Sequence, residues 1–200
     1  MRIQQTKLFQ YDELNEKAQE KARDWMREGT CDDSFWYEST LEDFVTIAGY
    51  LGYEVKRDRV FFSGFASQGD GACFEGTFRS ANLKLDALKA YAPQDTELAR
   101  IGNELASFVK DHPHFYASIK HQGHYSHKYE TVFTCEDLNE EDEDITEAKT
   151  EDEFIELSRD LMDWVYRQLE REYDYQMADK QLIDTLRANE YEFTQDGTRA

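Results

Sequence analysis

Two stretches of the chain abandon the three- and four-residue spacing of helices for short runs rich in aromatic and β-branched residues, each folded about glycine. In the first, Tyr53 to Val55 and Val60 to Phe65 read as strand, and Ala72 to Arg79 reads as the partner. The linker Ala66-Ser67-Gln68-Gly69-Asp70-Gly71 supplies the turn, because glycine takes positive φ without a steric penalty. In the second, Phe115 to His121 enters a Gln122-Gly123 turn and returns through His124 to Cys135. Hairpins require antiparallel pairing.

Helical spacing surrounds both hairpins. Leu14, Ala18, Ala22, Trp25 and Met26 share a face over 12–28, with Asn15 or Asp12 as cap and Gly29 as stop. Leu41, Phe44, Val45, Ala48 and Leu51 form a stripe over 34–51, closed by Gly52. After a short helical stretch at 83–91, Pro93 and Asp95 open a helix near 95–110 with Leu98, Ile101, Leu105 and Phe108 on its apolar face. A long helix over 151–176 carries Phe154, Leu157, Leu161, Trp164, Val165 and Leu169. A shorter one at 178–188 and a Tyr191–Thr194 segment follow. The order of elements predicts an α+β fold: an antiparallel sheet built from two hairpins, with helices packed on one face. Two hundred residues suit one domain over 1–200, and the 13 Phe, 12 Tyr and 3 Trp suffice for a large core.

One segment cannot contribute to that core. From Glu136 to Glu153 there are eleven acids and one lysine, so about 136–152 is expected as a flexible, solvated loop. The whole chain holds 43 Asp and Glu against 23 Lys and Arg, a net charge of −20. That field repels nucleic acid and anionic membrane and attracts basic protein surfaces. The expected partner is therefore a protein with a basic surface, itself nucleic-acid-binding; direct contact with nucleic acid or membrane is not expected. Cys31, Cys73 and Cys135 are far apart and odd in number, which fits a reducing cytoplasm, and burial as a small hydrophobe is expected for Cys31. The start Met1-Arg2-Ile3-Gln4-Gln5 has no apolar signal region. Oligomeric state is not fixed by any of this.

All five histidines fall between His112 and His127. With a two-residue turn at Gln122-Gly123, His121 and His124 sit opposite each other, while His127 pairs with Ser118 and faces away. His121 and His124 are then weak metal candidates, since zinc needs three or four ligands and no third is nearby. The loop Ser67, Gln68, Gly69, Asp70 and Gly71 invites phosphate or cation readings, but it lacks the Lys of a phosphate loop and the Asp-x-Asp of a calcium loop. No catalytic set and no cofactor are expected. On the long helix Glu156, Asp160, Asp163, Glu170 and Asp174 form a polar stripe roughly 27 Å long, a length over which they can imitate a row of phosphates. Arg159, Arg167 and Arg171 on the same helix are expected to offset much of it. The partner-binding candidates are Glu140, Glu141, Asp142, Glu143, Asp144, Glu156, Asp160 and Asp163.

The run Phe62-Ser63-Gly64-Phe65-Ala66-Ser67-Gln68-Gly69-Asp70-Gly71-Ala72-Cys73-Phe74-Glu75-Gly76 resembles a motif of small proteins from bacteriophages and other bacterial mobile elements, some labelled antitoxin-like. The Gly123-His124-Tyr125 turn, the Trp164–Glu170 run and the ending Ala188–Phe193 resemble the same group. The resemblance implies a mobile-element accessory protein acting in a bacterial host cytoplasm, and it brings no catalytic residues. Together with the charge it predicts a non-enzymatic binding protein that inhibits a host defence or nucleic-acid-binding protein, by nucleic-acid mimicry in its sharpest form. The alternatives are a metal-dependent or nucleotide-directed enzyme using the histidine hairpin and Asp70, and an antitoxin-like or structural partner-binding protein.

Overall fold

The structure is a computed structural model that describes residues 6–200 except 33, 34, 140 and 142. In chain order the elements are β1 (Phe9–Gln10), α1 (Glu16–Asp32), α2 (Phe35–Tyr50), β2 (Tyr53–Ser63), β3 (Gly71–Arg79), α3 (Leu85–Tyr91), α4 (Thr96–Asp111), β4 (Tyr116–His121), β5 (Thr131–Glu136), α5 (Ala148–Met177), α6 (Asp179–Ala188) and β6 (Glu192–Phe193). The fold is α+β, as expected. Internal packing divides the chain into two compact units, Met1–Glu38 with Arg171–Ala200, and Ser39–Glu170. Among the described residues no helix is long and apolar enough to cross a membrane.

In the larger unit the two hairpins lie side by side as one antiparallel sheet of order β2-β3-β4-β5. β2 and β3 pair from Tyr53↔Phe78 to Ser63↔Gly71, with an irregularity between Val55 and Val60 that leaves the charged run 56–59 out of register. Side chains alternate across a strand. Phe74 and Phe78 of β3 therefore both point toward the helices, Phe74 against Phe44 at 5.6 Å and Phe78 against Phe154 at 4.7 Å. Phe154 of α5 is the hub of this layer. Its ring also meets Phe115 at 4.9 Å, Phe108 of α4 at 5.7 Å and Phe133 of β5 at 6.2 Å.

Polar contacts fix the helices on that layer. Asp95 caps α4 by accepting from the Leu98 N–H at 2.8 Å, and its other oxygen accepts from the Trp164 indole at 2.9 Å. Tyr53 and Ser158, both buried, share a hydrogen bond of 3.0 Å, and burial raises the Tyr53 phenol well above its usual range. The apolar stripes of α4 and α5 are buried as the spacing predicts. On α2 the buried position is Ile47, with Val45 only half-buried. Gly52 (φ 92°) turns the chain out of α2 where a Cβ would meet the Phe78 ring at 3.0 Å and the Arg79 carbonyl at 3.1 Å, so glycine is required there.

The smaller unit has a core of Tyr11, Leu14, Ala18, Ala22, Leu186 and Phe193. Asn15 caps α1 by accepting from the Ala18 N–H at 3.1 Å, as the sequence suggests, but α1 runs through Gly29 to Asp32. Phe9↔Phe193 pairing of β1 with β6 forms a second sheet that the sequence pattern did not announce. Asp196, held by Lys21 at 2.7 Å and by the Thr194 and Thr198 hydroxyls, has its carboxyl well below the usual range. Cys31 is exposed in the last turn of α1, against the expectation of burial, 3.8 Å from the Tyr173 hydroxyl.

The second hairpin departs from expectation. β4 ends at His121 and β5 begins at its partner Thr131, so residues 122–130 form a loop rather than a two-residue turn at Gln122-Gly123. Ser118 pairs with Thr134, not with His127. The reason is tertiary. The Gln122 N–H donates to the Glu130 carbonyl at 2.7 Å, the Thr131 hydroxyl to the Lys128 carbonyl at 2.7 Å, and Lys128 is drawn to Asp163 of α5 at 2.6 Å.

Candidate functional site

Antiparallel connectivity sets two ends of the four-stranded sheet apart. At one end lie the loops 64–70 and 122–130; at the other, the connection between α4 and β4 faces the segment that follows β5.

At the first end the sequence-flagged residues are brought together and used up. Asp70 Oδ2 accepts from the Ala66 and Ser67 N–H groups at 3.0 and 2.6 Å, so the carboxylate closes its own loop. Tyr125 packs over Gly69. A Cβ on Gly71 would meet His127 at 2.8 Å, so the two loops touch directly. His121 Nε2 lies 3.0 Å from the Tyr125 carbonyl and therefore carries the ring proton, while the ring stacks on Phe61 at 4.8 Å. His127 Nδ1 accepts from the Tyr129 N–H at 3.3 Å. His124 lies edge-on to Tyr125 at 5.2 Å. His121 and His124 are not cross-strand partners, because His121 faces Thr131. Among the described residues no three metal-ligating side chains converge. Beneath the loops, burial pushes the Cys73 thiol up to about 12, with the Glu75 and Glu130 carboxylates adding to the effect.

Glu156, Asp160 and Asp163 of α5 are also spent. Glu156 pairs with Arg159 at 2.6 Å, Asp160 with Arg100 of α4 at 2.7 Å, and Asp163 with Lys128 at 2.6 Å. Arg167 pairs with Glu97 of α4 rather than with its own helix. The offsetting cations thus come largely from other elements.

The second end is different. Glu140 and Asp142 lie outside the described residues. Around them Asn139 Oδ1 accepts from the Glu141 and Glu143 N–H groups, both at 2.9 Å, and the Asn139 N–H donates to the Glu143 carbonyl at 3.0 Å. The Ile145 N–H donates to the Asp137 carbonyl at 2.8 Å, and Leu138 bridges Asp144. Asp144 Oδ1 accepts from both the hydroxyl and the N–H of Thr146, which holds this carboxyl below its ordinary range. The acidic segment, expected as a solvated loop, thus carries a hydrogen-bonded turn, and its Asp137 and Thr150 are buried. Glu141, Glu143, Asp144, Glu147, Asp152 and Glu153 are exposed, and among the described residues none is in an ion pair.

Beside this turn is a cleft of about 440 Å³ lined by Asp111, His112, Pro113, His114, Asp137, Leu138, Asn139, Ile145, Glu147 and Thr150. His112 Nδ1 lies 2.6 Å from Asp137 Oδ2, and the Asp137 side chain is only 6% exposed. A carboxylate is acceptor only, so Nδ1 donates. The pattern of the sequence did not pick out this pair. Its members are 25 residues apart, and Asp137 is one acid among eleven in its run. The nearness of Asp137 to the end of the strand expected to finish at Cys135 is the one signal that sets it apart.

Comparison with known proteins adds a family. No curated protein and no solved structure matches the chain. Residues 36–179 match the model of a domain of unknown function, DUF8835. Covering well over half of the chain, that match identifies it as a member of the DUF8835 family.

Proposed function

We propose that this chain is a non-enzymatic acidic binding protein of phage or mobile-element origin. It engages a basic, nucleic-acid-binding host protein, such as a defence factor, in the bacterial cytoplasm. The observation that supports this reading is the contrast in how carboxylates are used. The α5 acids Glu156, Asp160 and Asp163 are matched by cations, whereas Glu141, Glu143, Asp144 and Glu147 of the turn, and Asp152 and Glu153 in the first turns of α5, are exposed and among the described residues in no ion pair. Surplus charge gathered in one place steers a cationic partner and competes with nucleic acid for its groove. In this reading the acids that imitate nucleic acid are those of the turn and the first turns of α5, not the α5 stripe as a whole. The alternative of an enzyme using the histidine hairpin and Asp70 has less support, since Asp70 and His121 make hydrogen bonds to loop backbone.

The test compares the wild type with a variant carrying Gln or Asn at Glu141, Glu147, Asp152 and Glu153, with Glu143 and Asp144, which bond within the turn, left in place. Both are immobilised and exposed at low salt to extract from a bacterial host. The wild type is expected to retain nucleic-acid-binding proteins that elute steeply with salt, and the variant to retain none while melting at the same temperature. Equal retention by the variant, or retention of no nucleic-acid-binding protein by the wild type, overturns the reading.

A further inference from the structure

The geometry points to the cleft between the α4–β4 connection and the 137–150 turn as the receptor for one arginine side chain from an extended segment of the basic partner. The inference rests on the acidic-surface reading above and narrows it to an anchor.

Three features of the cleft converge on that chemistry. The first is charge. Asp111 and Glu147 line it, are exposed, and pair with no cation among the described residues. The second is hydrogen-bond polarity. The Asp111 and Glu147 carboxylates offer acceptors only. A ligand that meets both must bring donors, and a guanidinium brings five in a fixed planar fork. The third is the wall. Pro113, Leu138 and Ile145 line the same cleft, and Ile145 is 52% exposed, an apolar surface open to a ligand. An arginine covers such a wall with its methylene stem while its head reaches the acceptors. A phosphate or carboxylate ligand meets two carboxylates and, among the described residues, no lysine or arginine in this lining, and a purely apolar ligand leaves the carboxylates desolvated without partners.

Asp137 explains why the site holds its shape. It fixes His112 through Nδ1. Its backbone N–H donates to the Thr146 hydroxyl at 2.7 Å, and its carbonyl accepts from Ile145. The side chain of the buried Asp137 sets the histidine on one side of the cleft, and its backbone sets the turn carrying Ile145 on the other.

The experiment measures fluorescence anisotropy at low salt with a labelled, lysine-flanked peptide whose central residue is arginine, lysine or citrulline. The arginine peptide is expected to bind most tightly, with citrulline weaker by about tenfold or more and lysine in between. Asp111→Asn with Glu147→Gln is expected to weaken the arginine peptide about tenfold, and Ile145→Ser about threefold with no change of charge. Asp152→Asn with Glu153→Gln, which removes the same charge outside the cleft, is expected to cost about twofold or less. If the two double variants lose equally, or the central residue makes no difference, the cleft assignment fails while the acidic surface stands. If the wild type binds none of the peptides, the acidic surface fails and the anchor with it.

Discussion

The two ends of the four-stranded sheet carry similar side chains and use them in opposite ways. Where loops 64–70 and 122–130 meet, Asp70, His121 and His127 each bond to the loops they belong to, and Lys128 is matched by Asp163. At the other end, Asn139 and Asp137 hold the turn, while the exposed carboxylates around them have no cation partner among the described residues. Polar residues that attract notice in a sequence thus divide into those that build and those that remain available. The test is whether each polar atom already has a partner, not how many such residues cluster.

That division makes the first end sensitive to mutation and the second tolerant. The largest effect is expected from Gly123→Ala. Gly123 sits at φ 139°, and a Cβ there would land on the Glu130 carboxylate. The substitution should cost about 2 kcal/mol in denaturant unfolding; a loss within error would mean that the loop is loosely held and the contrast between the ends is overstated. Asp70→Ala comes next. It strands two loop N–H groups that are open to water, and the loss should be about 1 kcal/mol, read as a lower melting temperature. Asp70→Asn should recover part of that loss, since an amide oxygen still accepts.

The smallest effect is a pH dependence at the second end. Asp144 has its carboxyl lowered in the folded state from an ordinary 3.8 by the Thr146 hydroxyl and N–H. A lowered carboxyl contributes stability that is present above the unfolded value and is lost as the pH falls through the folded one. The gap in melting temperature between wild type and Thr146→Val should therefore narrow as the pH falls below about 5 and on through the folded value. A gap that is constant over that range would show that Asp144 ionisation contributes nothing to the turn.

Much of the architecture could be read directly. The apolar stripes of α4 and α5, the Asn15 and Asp95 caps and the β2–β3 turn rest on local spacing, and local spacing is what a sequence displays. The β4–β5 connection could not be read this way. Gln122-Gly123 has the composition of a tight turn, but the loop is decided by Lys128 reaching α5 and by Glu130 closing on Gln122, contacts that no periodicity encodes. The β1–β6 sheet is two residues long on each side and joins opposite ends of the chain, too short to show alternation. The His112–Asp137 pair stayed hidden for a related reason: each member is unremarkable among its sequence neighbours, and only folding makes them a pair.

The bond between Tyr53 and Ser158 has a mechanical consequence. A helix sliding over an aromatic layer meets many nearly equivalent seats, because rings tolerate small offsets. A buried phenol with one hydroxyl mate does not, since a shift of one residue, about 1.5 Å along and 100° around the axis, would leave both oxygens dry and unmated. The pair works as a detent. It locks the azimuth of α5 on the sheet, so the carboxylates of its opening turns keep a constant bearing toward whatever approaches that end of the sheet.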